Sequence, residues 1–358
     1  MNLDLFATYF LQIILLSALF SVLIDLIIGD PNWKYHPVML IGKTLAYLEK
    51  KLRVNHPIRG RLNGIFLMII VIALFSIPSI LIPLGIWGIW GIWGIWGDMN
   101  QYQPTWLDIG VIAFLFGFLL KWTFAIKNLG DVVKPIQMAL EKNDLPEARQ
   151  KLSWIVRRNT AELDPQHIIS ASVEVVAESS TDSVNSVFFF YFIGAILGRL
   201  LYPIHMDIVW LFIGFGCAYM FRVINTGDSV VGYKDQDHIY VGWCAARSDT
   251  YANYLPSRIT AYMMLFVGKL MGLDSKNGLR ILKRDRNGLT SLNAGWTMGT
   301  MAGLLNVQLE KLGSYKLGDF TRALQPQDIH TTYILIRRTM GLFIAMWSGI
   351  FVLAVLLI

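Results

Sequence analysis

Residues 5–31 read LFATYFLQIILLSALFSVLIDLIIGDP, and this stretch decides the fold class. From Leu5 to Ile28 only Gln12 and Asp25 interrupt an apolar run, which is long enough to cross a bilayer as a helix of about 20 residues. It lacks the basic start and small-residue cleavage site of a signal peptide, so it is expected to persist as a helix of the mature protein. Working outward, similar runs occupy Ile65 to about Gly88, Trp106 to Ile126, Val187 to Pro203, Ile208 to Val223 and Arg338 to Ile358. Six spans are therefore expected. The whole composition agrees: of 358 residues, 54% are hydrophobic and 16% charged, and the mean hydropathy is +0.49. A soluble domain would carry about a quarter charged residues. Disordered, collagenous and disulfide-stapled classes are excluded, since two cysteines, Cys217 and Cys244, build no framework.

The net charge of +6 reads first as topology rather than as an anionic partner. Lys34, Lys43, Lys50, Lys51, Arg53, Arg59 and Arg61 lie between the first two runs, and Lys127, Lys134, Lys142, Arg149, Lys151, Arg157 and Arg158 come after the third. Those loops are expected to be cytoplasmic, with Asp98 to Thr105, which has no Lys or Arg, outside. The chain is therefore expected to be an all-α polytopic membrane protein of about six transmembrane helices. It would be a multi-pass protein of the cell membrane, a single integral domain over 1–358, with the lipid bilayer as its surroundings. Tyr254 to Leu273 carries Arg258 and Lys269 between two basic segments, so it is expected to lie in the interface or re-enter rather than cross. Gly85 to Gly97 repeats Gly-Ile-Trp at the outer end of a span and reads as an interfacial aromatic belt.

Cytoplasmic segments 29–61, 127–186 and 225–337 hold nearly all residues with catalytic potential, so the site is expected to be cytoplasmic, formed by helical loops. Asp25 lies within an apolar run, where an ionisable group is a functional candidate by default. His36, before Pro37, is a substrate-binding candidate set against a structural reading. Glu174, Glu178 and Asp182 fall at i, i+4 and i+8, one stripe of a helix. Like charges so spaced repel, and hard oxygen ligands suit Mg²⁺, which takes one or two carboxylates plus phosphate oxygens. Salt bridges to Arg157, Arg158 or a more distant arginine are the alternative. Beyond the fifth span, Asn225, Asp228, Lys234, Arg247, Asp249, Asn253 and Arg258 form a polar, small-residue region, with the arginines near a helix start as an anionic ligand requires. Asn225-Thr-Gly-Asp228 could equally cap and turn at the end of a span. Asn293 sits in the glycine-punctuated string Ser291 to Trp296. No Walker loop, dinucleotide glycine pattern or zinc spacing occurs, and nothing supports binding of nucleic acid.

Taken in order, these strings resemble the CobD/CbiB membrane proteins of cobalamin biosynthesis, the adenosylcobinamide-phosphate synthases. The resemblance rests on Gly29-Asp30-Pro31 with His36-Pro37-Val38; Arg158 and Thr160; Glu174-Val-Val-Ala-Glu178 with Asp182; Asn225-Thr226, Asp228-Ser229 and Val231-Gly232-Tyr233; Gly242-Trp243, Arg247, Asp249, Asn253, Pro256 and Arg258; and Asn293-Ala-Gly295-Trp296. It runs from about residue 20 to 320. Asn159, Ser179, Ser183, Thr250 and Leu292 depart from the family's usual residues. The resemblance implies an ATP-dependent ligase that joins a carboxylate of adenosylcobyric acid to aminopropanol, as its phosphate. In that scheme Glu174, Glu178 and Asp182 would hold Mg²⁺ and the co-substrate ATP, together with Asp228, which is counted among the catalytic carboxylates. Lys234, Arg247 and Arg258 would bind phosphates, Asp249 or Asp25 would deprotonate the attacking ammonium, and Asn225, Asn253 and Asn293 would orient substrate amides. A transporter of a corrinoid or another anion and an AmpE-like regulatory membrane protein are the alternatives. Self-association into a homo-oligomer stays open.

Overall fold

The opening apolar run forms helix α1, Leu5–Ile28, and Gly29 ends it in the left-handed conformation at φ 75°. Next along the chain are helices α2 (Pro37–Leu52), α3 (Pro57–Ile95), α4 (Trp106–Lys121), α5 (Lys127–Glu141), α6 (Leu145–Ser153) and α7 (Pro165–Ser180). A π turn, Thr181–Asn185, joins α7 to α8 (Ser186–Leu201), and α9 (Ile208–Val231), α10 (Trp243–Ala252), α11 (Tyr254–Leu270), α12 (Ser275–Asp285) and α13 (Ala294–Leu305) come after it. Strands β1 (Gln308–Lys311) and β2 (Tyr315–Gly318) form an antiparallel hairpin, and α14 (Pro326–Leu357) closes the chain. The structure, a computed structural model, describes residues 5–31, 33–95, 105–201 and 208–357.

The protein is an all-α membrane protein, as its sequence leads one to expect. Among the described residues five helical runs are long and apolar enough to cross a bilayer: Thr8–Ile28, Pro57–Ile86, Pro165–Leu201, Val209–Val231 and Pro326–Leu357. The third apolar run carries α4, which is 16 residues long, short of a full span of about 20, and packs along α1. Most side chains of the Gly-Ile-Trp repeat, and Asp98 to Pro104, lie outside the described residues.

The single domain expected from the sequence separates by its contacts into two compact units. The first comprises 1–125, 187–249 and 346–358, the second 126–186 and 250–345. In the first unit, helices approach through small residues, as bilayer helices do for want of a hydrophobic drive between them. A Cβ at Gly117 of α4 would lie 2.9 Å from the Ser17 carbonyl oxygen of α1. Gly194 and Gly198 of α8 meet α9 in the same way, where a Cβ at Gly198 would stand 2.6 Å from Trp210 Cα. A further core joins Ile41 and Leu45 of α2, Leu67, Met68 and Val71 of α3, Val223 and Val231 of α9, and Ala245 of α10. In the second unit, α13 is buried along nearly its whole length, and its Gly303 lets α12 approach so closely that a Cβ there would lie 2.7 Å from Gly278 Cα.

Three expectations about elements are corrected. Asn225-Thr-Gly-Asp228 is not a turn after the fifth span but part of α9. Thr226 Oγ1 donates back to the Arg222 carbonyl at 2.8 Å, and Gly227 takes Met68 and Ala245 against it, so Gly and Asn here serve packing and do not break the helix. The segment after residue 225 is not purely helical, because the β1–β2 hairpin stands in it, with Gly313 at φ 68° in its turn. The helix that carries the fourth apolar run begins well before Val187, since α7, the π turn and α8 run on as one 37-residue helix.

Candidate functional site

In the first unit, polar residues gather where α1 ends. Pro37 opens α2, and His36 caps it by accepting the Val38 N–H on Nδ1 at 3.2 Å. That leaves the ring proton on Nε2, which donates to Asp30 Oδ1 at 2.9 Å. Lys121, at the end of α4, reaches Asp30 Oδ1 at 2.7 Å and Asp25 Oδ1 at 3.4 Å. Trp122 packs edge-on to the His36 ring at 5.1 Å. Burial pushes the Asp30 carboxyl up, but the hydrogen bonds from His36 and Lys121 outweigh it and hold Asp30 below its usual value. Asp25 is fully buried against Lys121. A carboxylate so enclosed holds the lysine in place.

The same unit brings Asn225 and Asp249 together. Arg222, buried within α9, donates from Nε to the Thr123 carbonyl and from Nη1 to Asn225 Oδ1 at 2.8 Å, and Asn225 Nδ2 donates to Asp249 Oδ1 at 3.2 Å. This string presents the Asp249 carboxylate, half-buried, from a fixed amide. Asp228 is half-buried on α9, while Lys234 and Arg247 are exposed, Lys234 in the connection to α10 and Arg247 on α10 itself. Lys121 and Arg222 are not singled out by the motifs of the sequence. A signal for them is nonetheless present: each is a lone cation in or at the end of an apolar run, the intramembrane ionisable residue that marks a site.

In the second unit the acidic stripe does not act as one group. Glu174 is buried, Asp182 half-buried and Glu178 exposed. Glu174 Oε2 accepts Arg158 Nη2 and the Tyr315 hydroxyl, the latter at 3.0 Å, and its Oε1 accepts Ser170 Oγ at 2.7 Å. For Glu174 the structure shows the salt bridge to Arg158 that stood as the alternative to a metal ligand. Among the described residues no three His, Cys, Asp or Glu side chains converge as around a metal ion.

Asn253, Arg258 and Asn293, distant in sequence, share a second polar cluster in this unit. Asn253 Oδ1 accepts Ser186 Oγ, and two turns on Thr260 Oγ1 accepts Asn185 Nδ2 at 2.8 Å. Asn185 closes the π turn and Ser186 opens α8 directly after it, a local unwinding often found at functional sites. Arg258 Nη1 donates to Asn293 Oδ1 at 2.6 Å and to the Tyr254 carbonyl at 2.7 Å, and Nη2 donates to the Leu292 carbonyl at 2.9 Å. Its guanidinium lies 3.6 Å from the Tyr254 ring centroid and 4.8 Å from that of Trp296. Asn293 Nδ2 in turn donates to the Thr250 carbonyl at 2.9 Å. Arg258 thus spends most of its donors on pinning the 291–296 loop to α11.

The CobD/Cbib protein family profile matches residues 18–343. A probable cobalamin biosynthesis protein CobD of Methanothermobacter thermautotrophicus is 33% identical over 333 residues, covering 93% of this chain and 96% of its own. The cobalamin biosynthesis protein CobD of Dehalococcoides mccartyi is 33% identical over 338 residues, covering 94% and 97%, and that of Geobacter metallireducens is 34% identical over 290 residues, covering 81% and 79%. No solved structure matches the chain. With a profile match over most of its length and relatives above 30% identity along nearly all of it, this chain belongs to the CobD/CbiB family.

Proposed function

We propose that the protein acts in cobalamin biosynthesis as an ATP-dependent ligase, forming an amide between a carboxylate of adenosylcobyric acid and aminopropanol phosphate to give adenosylcobinamide phosphate. The observation that supports this best is end-to-end similarity to proteins named for cobalamin biosynthesis. The residues suit the chemistry. An amine attacks only after losing its proton, and Asp249, held by Asn225, is a carboxylate oriented to take it. Lys234 and Arg247, exposed cations, would meet substrate phosphates. Glu178 and Asp182 lie one helical turn apart outside the core, and two such carboxylates with phosphate oxygens are a donor set that Mg²⁺ accepts. Mg-ATP would supply the activation of the carboxylate, a reaction class in which catalysis is positioning and charge stabilisation.

The test is incubation of the purified protein with adenosylcobyric acid, aminopropanol phosphate and Mg-ATP, with the product weighed by mass spectrometry. The expected outcome is the mass of the amide, with ATP consumed in step. Sealed vesicles that accumulate corrinoid without forming amide would overturn the ligase reading in favour of transport.

A further inference from the structure

Arg158 stands between α6 and α7 on a loop fixed from both sides. Thr160 Oγ1 donates to the Arg149 carbonyl at 3.1 Å, Arg149 Nε donates to the Leu163 carbonyl at 2.9 Å, and Asp164 caps α7 by accepting the His167 N–H at 2.9 Å. The Arg158 side chain is only 15% exposed, and one of its five N–H groups is used, from Nη2 to Glu174. Three other arginines use more of their donors, although Arg322 is 39% exposed. Arg322 grips Asp328 with both Nη atoms and also donates to the Ala323 and Leu305 carbonyls, Arg222 uses Nε and Nη1, and Arg258 uses both Nη atoms. Among the described residues Nη2 alone of its nitrogens meets an acceptor, and Nε and Nη1 are not sealed from solvent, so that edge of the guanidinium is open to grip an anion.

The aim of that edge is set from below. Three donors fix the Glu174 carboxylate, and two of them are anchored on the β hairpin. Tyr315 of β2 donates directly, while the Glu310 N–H of β1 donates to Ser170 Oγ at 2.8 Å, which passes its own proton on to Glu174. A carboxylate held on three sides does not swing, so the guanidinium bonded to it does not either. Pre-organisation of this kind is what a binding cation needs. We propose that Arg158, aimed by Glu174 and the hairpin residue Tyr315, binds a phosphate group of a substrate. Resting on the ligase reading, the inference allows two sources for that phosphate, ATP and the phosphorylated amine.

Arg158→Lys keeps the charge opposite Glu174 but loses the fork. With saturating partners, KM is measured for ATP, for aminopropanol phosphate and for aminopropanol without its phosphate. A rise of about 10- to 100-fold in the KM for ATP alone makes the phosphate that of the nucleotide. A rise confined to aminopropanol phosphate, with plain aminopropanol unaffected, makes it that of the amine. Tyr315→Phe, which loosens the aim without touching the ligand, should move the same KM in the same direction by a smaller factor and leave the others alone. If the wild type forms amide and neither KM moves in Arg158→Lys, Arg158 is structural and the inference fails while the ligase stands. If the wild type forms no amide, the ligase reading fails instead. Equilibrium dialysis of ATP and of inorganic phosphate then decides on Arg158, since equal affinity in wild type and Arg158→Lys overturns the assignment and weaker binding in the variant upholds it. Should Arg158→Lys not fold, the neutral pair Arg158→Gln with Glu174→Gln removes both buried charges together and serves in the same measurements.

Discussion

Lys121 shows most directly what a single side chain holds. It is 2% exposed and faces Asp25, which is fully buried, and Asp30. Lys121→Met would leave two carboxylates without their cation, so a loss of about 3–5 kcal/mol is expected, read as a lower thermal midpoint in detergent. An unchanged midpoint would contradict the ion-pair account. Acid behaviour is set by Asp30. Its carboxyl is held below its usual value, so it supports the fold above pH ~4 and withdraws that support as pH falls through the lowered value. In Lys121→Met burial is offset by His36 alone, so the acid limb of stability against pH should move to higher pH; coincident limbs would sink this reading. Spacing made Glu174, Glu178 and Asp182 visible in the sequence, but not their surroundings. Of the partners that decide Glu174, Arg158 stood among the alternatives read from the sequence, whereas Tyr315 lies 141 positions away, beyond what a helical period can reveal. Asp249 and Asn253 are likewise four apart, yet α10 ends at Ala252 between them, and each finds a different partner, Asn225 for one and Ser186 for the other.

At the scale of elements, the apolar runs were legible because bilayer thickness fixes their length. Their ends were not, because Gly and Asn in α9 resemble breakers until the close approach of Met68 and Ala245 is seen. The β hairpin was illegible for a related reason, as four-residue strands carry too short an alternation to register. Two elements invite direct tests. Gly198→Leu would drive a side chain into the Trp210 backbone and prise α8 from α9. A destabilisation of at least about 1–3 kcal/mol is expected, seen as reduced monodisperse yield, and normal yield would refute the packing. At the π turn, Asn185→Leu with Ser186→Ala would remove the side chains that donate to Thr260 and Asn253, and the double variant should lose ligase activity even where it can still be extracted.

For the whole molecule, the sidedness of the basic loops is a proposal that labelling can test. In a background lacking Cys217 and Cys244, an impermeant thiol reagent added outside intact cells should modify Thr105→Cys and spare Lys50→Cys and Arg157→Cys. Reaction at position 50 would invert the map. The division of the chain into two units carries a consequence for its manufacture. The second unit is interleaved with the first in sequence, and the first is complete only when 346–358 joins 1–125 and 187–249. On a ribosome adding about 5–20 residues per second, the early helices therefore wait on the order of ten to forty seconds for their last partner. Throughout that interval Ser17, Ser21 and Gly117 can already seat α1 on α4, whereas the segment 346–358 is still to be made. Nascent chains arrested before residue 346 should accordingly stay open to quality-control proteases in the membrane, and release of the final helix should close that window in a single step.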